Sequence, residues 1–172
     1  GHFILSSGLH SPKYVQCAQL MSNPSQALKI CQSLAKKIKM EFDEFDLILS
    51  PAMGGIIVGY ELGKLLNKKT IFSERVNSEF KLRRDFKIEK GNKVLIVEDV
   101  ITTGKSSLEC VKLIKKSRAK SIGFACIIDR SNKKNLKIKK NIVSQIKLNI
   151  PTYKKISLPS NLKNIPILFV CE

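Results

Sequence analysis

A chain of 172 residues that is 43% hydrophobic has enough apolar material for one buried core, which excludes a disordered tract, and its length leaves little room for a second domain. No apolar stretch approaches the ~18 residues of a membrane-spanning helix. Lys and Arg number 31 against 14 Asp and Glu, a net charge of +17, so the surface attracts anions: nucleic acid, small phosphorylated substrates, or solvent alone if the lysines only decorate the surface.

Residues 1–20 read as a loop with short extended pieces, punctuated by Ser6, Ser7, Gly8 and Ser11-Pro12. The start at Gly1 has no basic region before it, and the expectation is a cytoplasmic chain lacking part of an amino-terminal helical segment. Ser22-Asn23-Pro24 reads as a helix start, and Ala27, Leu28, Cys31, Leu34, Ala35 and Ile38 predict a helix over 24–40. A strand is expected over 45–49, a helix over 56–66 and a short strand over 70–72. Residues 73–92 are strongly charged, with Phe80, Leu82, Phe86 and Ile88 alternating through them, which predicts a mobile two-stranded arm. A central strand over 93–98 and a helix over 104–116 follow, the helix with an apolar face of Leu108, Val111, Leu113 and Ile114. Strands are then expected over 121–128 and 143–150, followed by a proline-punctuated tail with an apolar run over 165–170. Strands alternating with helices imply one α/β domain over 1–172, with a mostly parallel central sheet and helices on both faces. The five cysteines have no close spacing and read as reduced core residues.

In such a sheet, ligands bind beyond the carboxyl ends of the strands. Three of those ends carry unusual residues: 50–55, 98–106 and Asp129-Arg130. In the middle one, Thr102, Thr103 and Gly104 precede a helix, so their amides can face one concavity and hold a phosphate monoester. Glu98 and Asp99 would repel a phosphate laid on them; they suit sugar hydroxyls, or a magnesium ion carried by a diphosphate. Gly104-Lys105-Ser106 suggests a nucleotide triphosphatase loop, but Asp99 stands where that loop needs its first glycine. Gly54-Gly55 lets backbone amides approach an anion, or simply allows a tight strand-to-helix turn.

The stretch from Val94 to Ser106 resembles the phosphoribosyl diphosphate signature of the type I phosphoribosyltransferases. Gly1 to Gly8, continued by His10-Ser11-Pro12 and Tyr14, is similar to the amino-terminal motif of the orotate phosphoribosyltransferases, and Asp129-Arg130 sits where that family keeps the same pair. The resemblance implies that Glu98 and Asp99 hold the ribose hydroxyls. Thr102, Thr103, Gly104, Lys105 and Ser106 then wrap the 5-phosphate, with Thr102 and Arg130 also meeting orotate, and Val100 and Ile101 belong to the substrate-binding set. Ala52, Met53, Gly54 and Gly55 form the diphosphate loop, and Tyr14 belongs to the substrate-binding set. The arm would close over the neighbouring subunit's site in a homodimer, with Arg75, Lys81, Arg83 and Arg84 neutralising the departing diphosphate. Magnesium would be held mainly through the substrate diphosphate, with no metal site of the protein's own. Many family members have lysines where this chain has Ser6 and Gly54, and a histidine in the arm, where this chain has none. The dominant arm residue therefore stays open. The alternatives are a transferase for another base, such as a purine, or a phosphoribosyl diphosphate sensor of the same fold that binds nucleic acid.

Overall fold

The computed structural model describes residues 1–5, 8–131 and 136–169, so Ser6, Ser7, Lys133, Lys134, Val170 and Cys171 lie outside the described residues. The chain forms two compact units, one of residues 1–16 with 149–172 and one of residues 17–148.

In the smaller unit, strands β1 (His2–Ile4) and β2 (His10–Ser11) pair antiparallel. The only two histidines of the chain, His2 and His10, are buried there and bonded ring to ring at 2.6 Å. The tail contributes a single 3-10 turn (Lys155–Ser157), a short helix (Ser160–Lys163) and a last strand (Ile167–Phe169) that lies parallel to β1. Leu162 is the tail's buried anchor.

The larger unit opens with helix α1 (Cys17–Met21), a single turn too short to leave a periodic pattern in the sequence. Helix α2 (Pro24–Glu41) starts where the cap residues predict. Asn23 Oδ1 accepts from the Gln26 amide at 3.2 Å, and Pro24 fills a first-turn position that needs no amide donor. Ala27, Cys31, Leu34, Ala35 and Ile38 are its buried stripe, as their spacing requires. Strand β3 (Leu47–Pro51) is buried at every position, the mark of a strand covered on both faces. Helix α3 (Gly54–Leu66) starts two residues before the expected Ile56, because both glycines enter its first turn. It ends at Asn67, whose left-handed φ of 53° closes the helix.

Strand β4 (Lys69–Val76) and strand β5 (Glu79–Leu82) make a two-residue hairpin through Asn77 and Ser78, both at positive φ. Strand β6 (Lys93–Ile101), helix α4 (Lys105–Lys116), strand β7 (Lys120–Asp129) and strand β8 (Ile142–Lys147) complete the unit. The sheet order is β5-β4-β3-β6-β7-β8, parallel except for β5. The charged arm is thus joined to this sheet by the β3–β4 ladder, and Phe80 and Ile88 are buried. Alternation had placed Phe80 and Ile88 on one side of the arm, and core packing uses that side.

β3 runs over 47–51 against an expected 45–49 and β4 over 69–76 against 70–72, and two further boundaries differ for one reason. β6 runs three residues past Glu98 because β7 keeps pairing with it, Val100 with Ile128 and Ile101 with Asp129. β8 stops at Lys147 because its partner β7 ends at Asp129. The core face of α4 is Ser107, Cys110 and Ile114, while Leu108 and Val111 pack beside it. Leu108 is more apolar than Ser107, yet the helix turns the serine inward.

Candidate functional site

The three strand tips expected to carry chemistry converge in the larger unit. At the first, Ser50 and Pro51 are buried and the Ala52 amide donates to the Ser73 carbonyl at 2.8 Å, tying the loop to β4. The peptide between Ala52 and Met53 is cis, and Met53 is exposed. Gly54 begins α3 directly against the second tip. A Cβ on Gly54 would lie 2.5 Å from Asp99 Oδ2, and one on Gly55 would lie 2.9 Å from the Val97 carbonyl oxygen. The glycines are therefore needed for the close approach of two backbones. At the third tip, the Arg130 amide donates to the Ile101 carbonyl at 2.8 Å. Asp129 is buried, accepts from the Ser131 amide at 2.8 Å and pairs with Lys147 at 3.2 Å, while Arg130 is half-buried.

Strand alternation sends the two adjacent acids of β6 to opposite faces of the sheet. Asp99 faces α3 and α1, beside Gly54. Its Oδ1 accepts from the Val100 amide at 2.8 Å, and its charge adds to the burial that pushes the Cys17 thiol up to about 12. Glu98 faces α4 and is only 8% exposed. It accepts a hydrogen bond from the Ser107 hydroxyl. Burial pushes its carboxyl up to about 7, against the pull of that hydroxyl toward the charged form. The sequence treats the pair as one unit; the structure gives the two acids different surroundings.

The pH dependence of folding stability follows from Glu98. Between about pH 4.5 and 7 the folded chain keeps a proton that the unfolded chain has released, so stability falls as pH rises through that window. The loss is on the order of 3 kcal/mol. Urea titrations at pH 5, 6 and 7.5 should show that slope in the native chain and a flatter one in Glu98→Gln; equal slopes would place the titration elsewhere.

The nest at the second tip begins where the strand ends. Val100 and Ile101 belong to the β6 ladder, and Ile101 is a core side chain. What remains for a ligand is Thr102 and Thr103, both exposed, then Gly104, Lys105 and Ser106. Gly104 has a φ of 73°, precedes the first turn of α4, and leaves no room for a Cβ, which would sit 2.6 Å from Ile138 Cδ1. Gly104→Ala is expected to cost about 2 kcal/mol or more, ~1–2 from the left-handed backbone and the rest from overlap with Ile138. Thermal melts check this; an unchanged melting temperature would mean that the turn rearranges freely. The Lys137 amide donates to the Thr103 carbonyl at 3.3 Å, so the 136–138 segment braces the nest from behind. Ile138 and Lys137 were invisible to motif reading because they lie about 35 positions away in a lysine-rich stretch.

The arm residues divide into two groups. The Arg75 guanidinium pairs with Glu109 of α4 at 3.0 Å, donates to the Ser78 carbonyl at 2.7 Å and lies 4.2 Å from the Phe80 ring centroid. Arg84 pairs with Glu74 at 3.0 Å. Lys81 and Arg83 are exposed. Arg75 and Arg84 are thus held by carboxylates of the larger unit, Arg75 next to the helix that follows the nest. Glu109 was missed in the sequence because a lone acid on a helix carries no motif. Tyr14 belongs to the smaller unit, where its ring lies 6.0 Å from Phe3. Cys17, Cys31, Cys110 and Cys126 are buried free thiols, and burial pushes Cys110 up to about 12, which keeps it an unreactive thiol.

Chemically, the larger unit offers a glycine-lined loop, a carboxylate beside it, a helix-start nest and an arginine within one group of strand tips. Among the described residues, no helix is long and apolar enough to cross a membrane. Residues 16–157 match the model of the phosphoribosyl transferase domain. The chain is 45% identical over 167 residues to an orotate phosphoribosyltransferase of Parvibaculum lavamentivorans, covering 96% of this chain and 86% of that protein. It is 42% identical over 169 residues to the enzyme of that name from Erythrobacter litoralis, covering 97% and 86%. Among solved structures, orotate phosphoribosyltransferase from Aeropyrum pernix shares the fold with a TM-score of 0.71 at 21% identity, over 86% of each chain. Adenine phosphoribosyltransferase from Thermoanaerobacter pseudethanolicus does so with a TM-score of 0.68 at 20% identity, over 78% of this chain and 88% of that one. The chain belongs to the phosphoribosyl transferase family, is a pentosyltransferase enzyme with the fold of that family, and has orotate phosphoribosyltransferases as its sequence relatives.

Proposed function

We propose that the chain transfers the phosphoribosyl group of 5-phosphoribosyl 1-diphosphate to orotate, yielding orotidine 5-phosphate and diphosphate. The observation that carries this reading is the meeting of Gly54 with Asp99, and of the Arg130 backbone with Ile101, at adjacent strand tips beside the nest. The nest at 102–106 holds the 5-phosphate, its amides adding to the positive end of α4. Asp99 holds ribose hydroxyls, and Glu98 does so from the other side of the strand end. The amides of 52–55 receive the diphosphate. The Arg130 guanidinium pairs with the orotate carboxylate, whose planar shape suits its fork.

In the reaction, a ring nitrogen of orotate forms a bond to the anomeric carbon as the bond to the diphosphate oxygen breaks. Positive charge grows on the ribose, near the Asp99 carboxylate, and negative charge on the leaving group. Positioning and electrostatics do the work, and no side chain forms a covalent bond. Lys81 and Arg83, exposed on the arm, and Arg75 and Arg84, once released from Glu109 and Glu74, neutralise the leaving diphosphate from the neighbouring subunit of a homodimer.

Among the described residues, no three carboxylate, imidazole or thiol groups converge on one point. Magnesium would arrive with the substrate diphosphate, because magnesium keeps few protein ligands where phosphates supply the rest. When bound, it takes up charge on the leaving diphosphate. The reaction belongs to pyrimidine nucleotide synthesis in the cytoplasm.

The test is diphosphate release with orotate, magnesium and phosphoribosyl diphosphate all present. Release should stop when any one is withheld. Turnover with a purine in place of orotate would move the assignment to another base.

A further inference from the structure

Helix α4 has an unusual start. Its cap position is Gly104, which has no side chain to satisfy the amides of the first turn, and no side-chain cap bond is made there. A cap side chain at that point would run into Ile138 behind the nest. The compensation comes from the neighbouring strand. Glu98 turns its carboxylate onto the third residue of the helix, Ser107, whose hydroxyl donates to it and whose backbone also favours the charged carboxylate. Ser107 is wholly buried and Glu98 nearly so. A carboxylate at a helix start is favourable in itself, and a buried carboxylate without a donor is costly.

The geometry points to Ser107 as a positioning residue: by bonding the Glu98 carboxylate to the first turn of α4, it fixes the span between the acids that hold the sugar and the nest that holds its phosphate. This rests on the function proposed above. The chain needs such a tie because the two parts lie on different elements, β6 and α4, joined by the exposed Thr102 and Thr103 and by Gly104. A hydroxyl on α4 and a carboxylate on β6 lock strand and helix at the point where one ligand must touch both. Ser107 is not placed against the ligand itself, since it is buried beneath the turn.

Calorimetric titration of phosphoribosyl diphosphate in magnesium tests this directly, together with KM values for both substrates. Ser107→Ala should weaken phosphoribosyl diphosphate about tenfold, in Kd and in KM, and leave the KM for orotate within about twofold of native. Ser107→Thr keeps the hydroxyl and should restore Kd to within about threefold. In a Glu98→Gln background, Ser107→Ala should add less than about twofold, because the residue acts through that carboxylate. Three results would overturn the inference: an unchanged Kd in a folded Ser107→Ala protein, an equal loss in both backgrounds, or a loss shared by orotate. Melting temperatures separate a lost fold from a lost tie, and Ser107→Thr supplies the answer if the alanine variant melts too low to titrate. Absence of orotate turnover in the native chain would count against the proposed reaction instead, since the titration of phosphoribosyl diphosphate needs no turnover.

Discussion

Asp99→Asn is expected to lower kcat/KM for phosphoribosyl diphosphate by about 100-fold or more while changing the melting temperature little. A carboxylate that accepts from two ribose hydroxyls makes two charge-assisted bonds, each worth ~1.5–3 kcal/mol. Loss of about 3 kcal/mol in transition-state binding is a factor on the order of 100. The amide keeps the shape and one acceptor, so the packing against Gly54 survives. It loses the negative charge that faces the developing charge on the ribose. Adding Glu98→Gln should deepen the loss of transfer, again more than it harms folding. Steady-state kinetics and thermal melts on the same preparations decide it. If the double variant keeps native kcat/KM, these acids do not hold the sugar.

Arg130→Ala is expected to weaken orotate by about 100-fold and phosphoribosyl diphosphate by less than about threefold. A guanidinium and a carboxylate meet through two parallel bonds, and removing one partner in a partly dehydrated site costs ~3 kcal/mol or more. Arg130 is half-buried, and its amide, which the substitution keeps, adds a bond to the ladder that joins β7 to the β6 tip. The backbone frame should therefore persist and the loss should fall on one substrate. Arg130→Lys keeps the charge but not the fork, and should recover only part of the affinity. Competitive binding of orotate at fixed phosphoribosyl diphosphate reads this out; equal losses for the two substrates would remove Arg130 from base recognition.

Much of this protein is legible in its residues taken in order. The Asn23-Pro24 cap and the stripe from Ala27 to Ile38 specify α2, because a helix buries one face at a fixed period. The apolar residues within 45–49 and 93–98 specify strands, which run over 47–51 and 93–101. The adjacency of Glu98, Asp99 and the Thr102-to-Ser106 segment announces a ligand with a phosphate and hydroxyls, since few folds place charge at the end of a buried strand without use for it. Other features depended on contacts distant in sequence. The length of β6 was set by β7, whose ladder draws Val100 and Ile101 out of the loop and into the sheet. The inward turn of Ser107 depends on where Glu98 ends up, nine residues earlier in the chain and on another element. Arg75 looks like any arm cation until α4 brings Glu109 to it. Local sequence determined the longer helices and strands and which residue types stood at the tips. The tertiary structure alone decided which face each acid took and what it met there, because partners across a sheet or between a strand and a helix are chosen by packing and hydrogen-bond satisfaction, and neither leaves a period in the sequence.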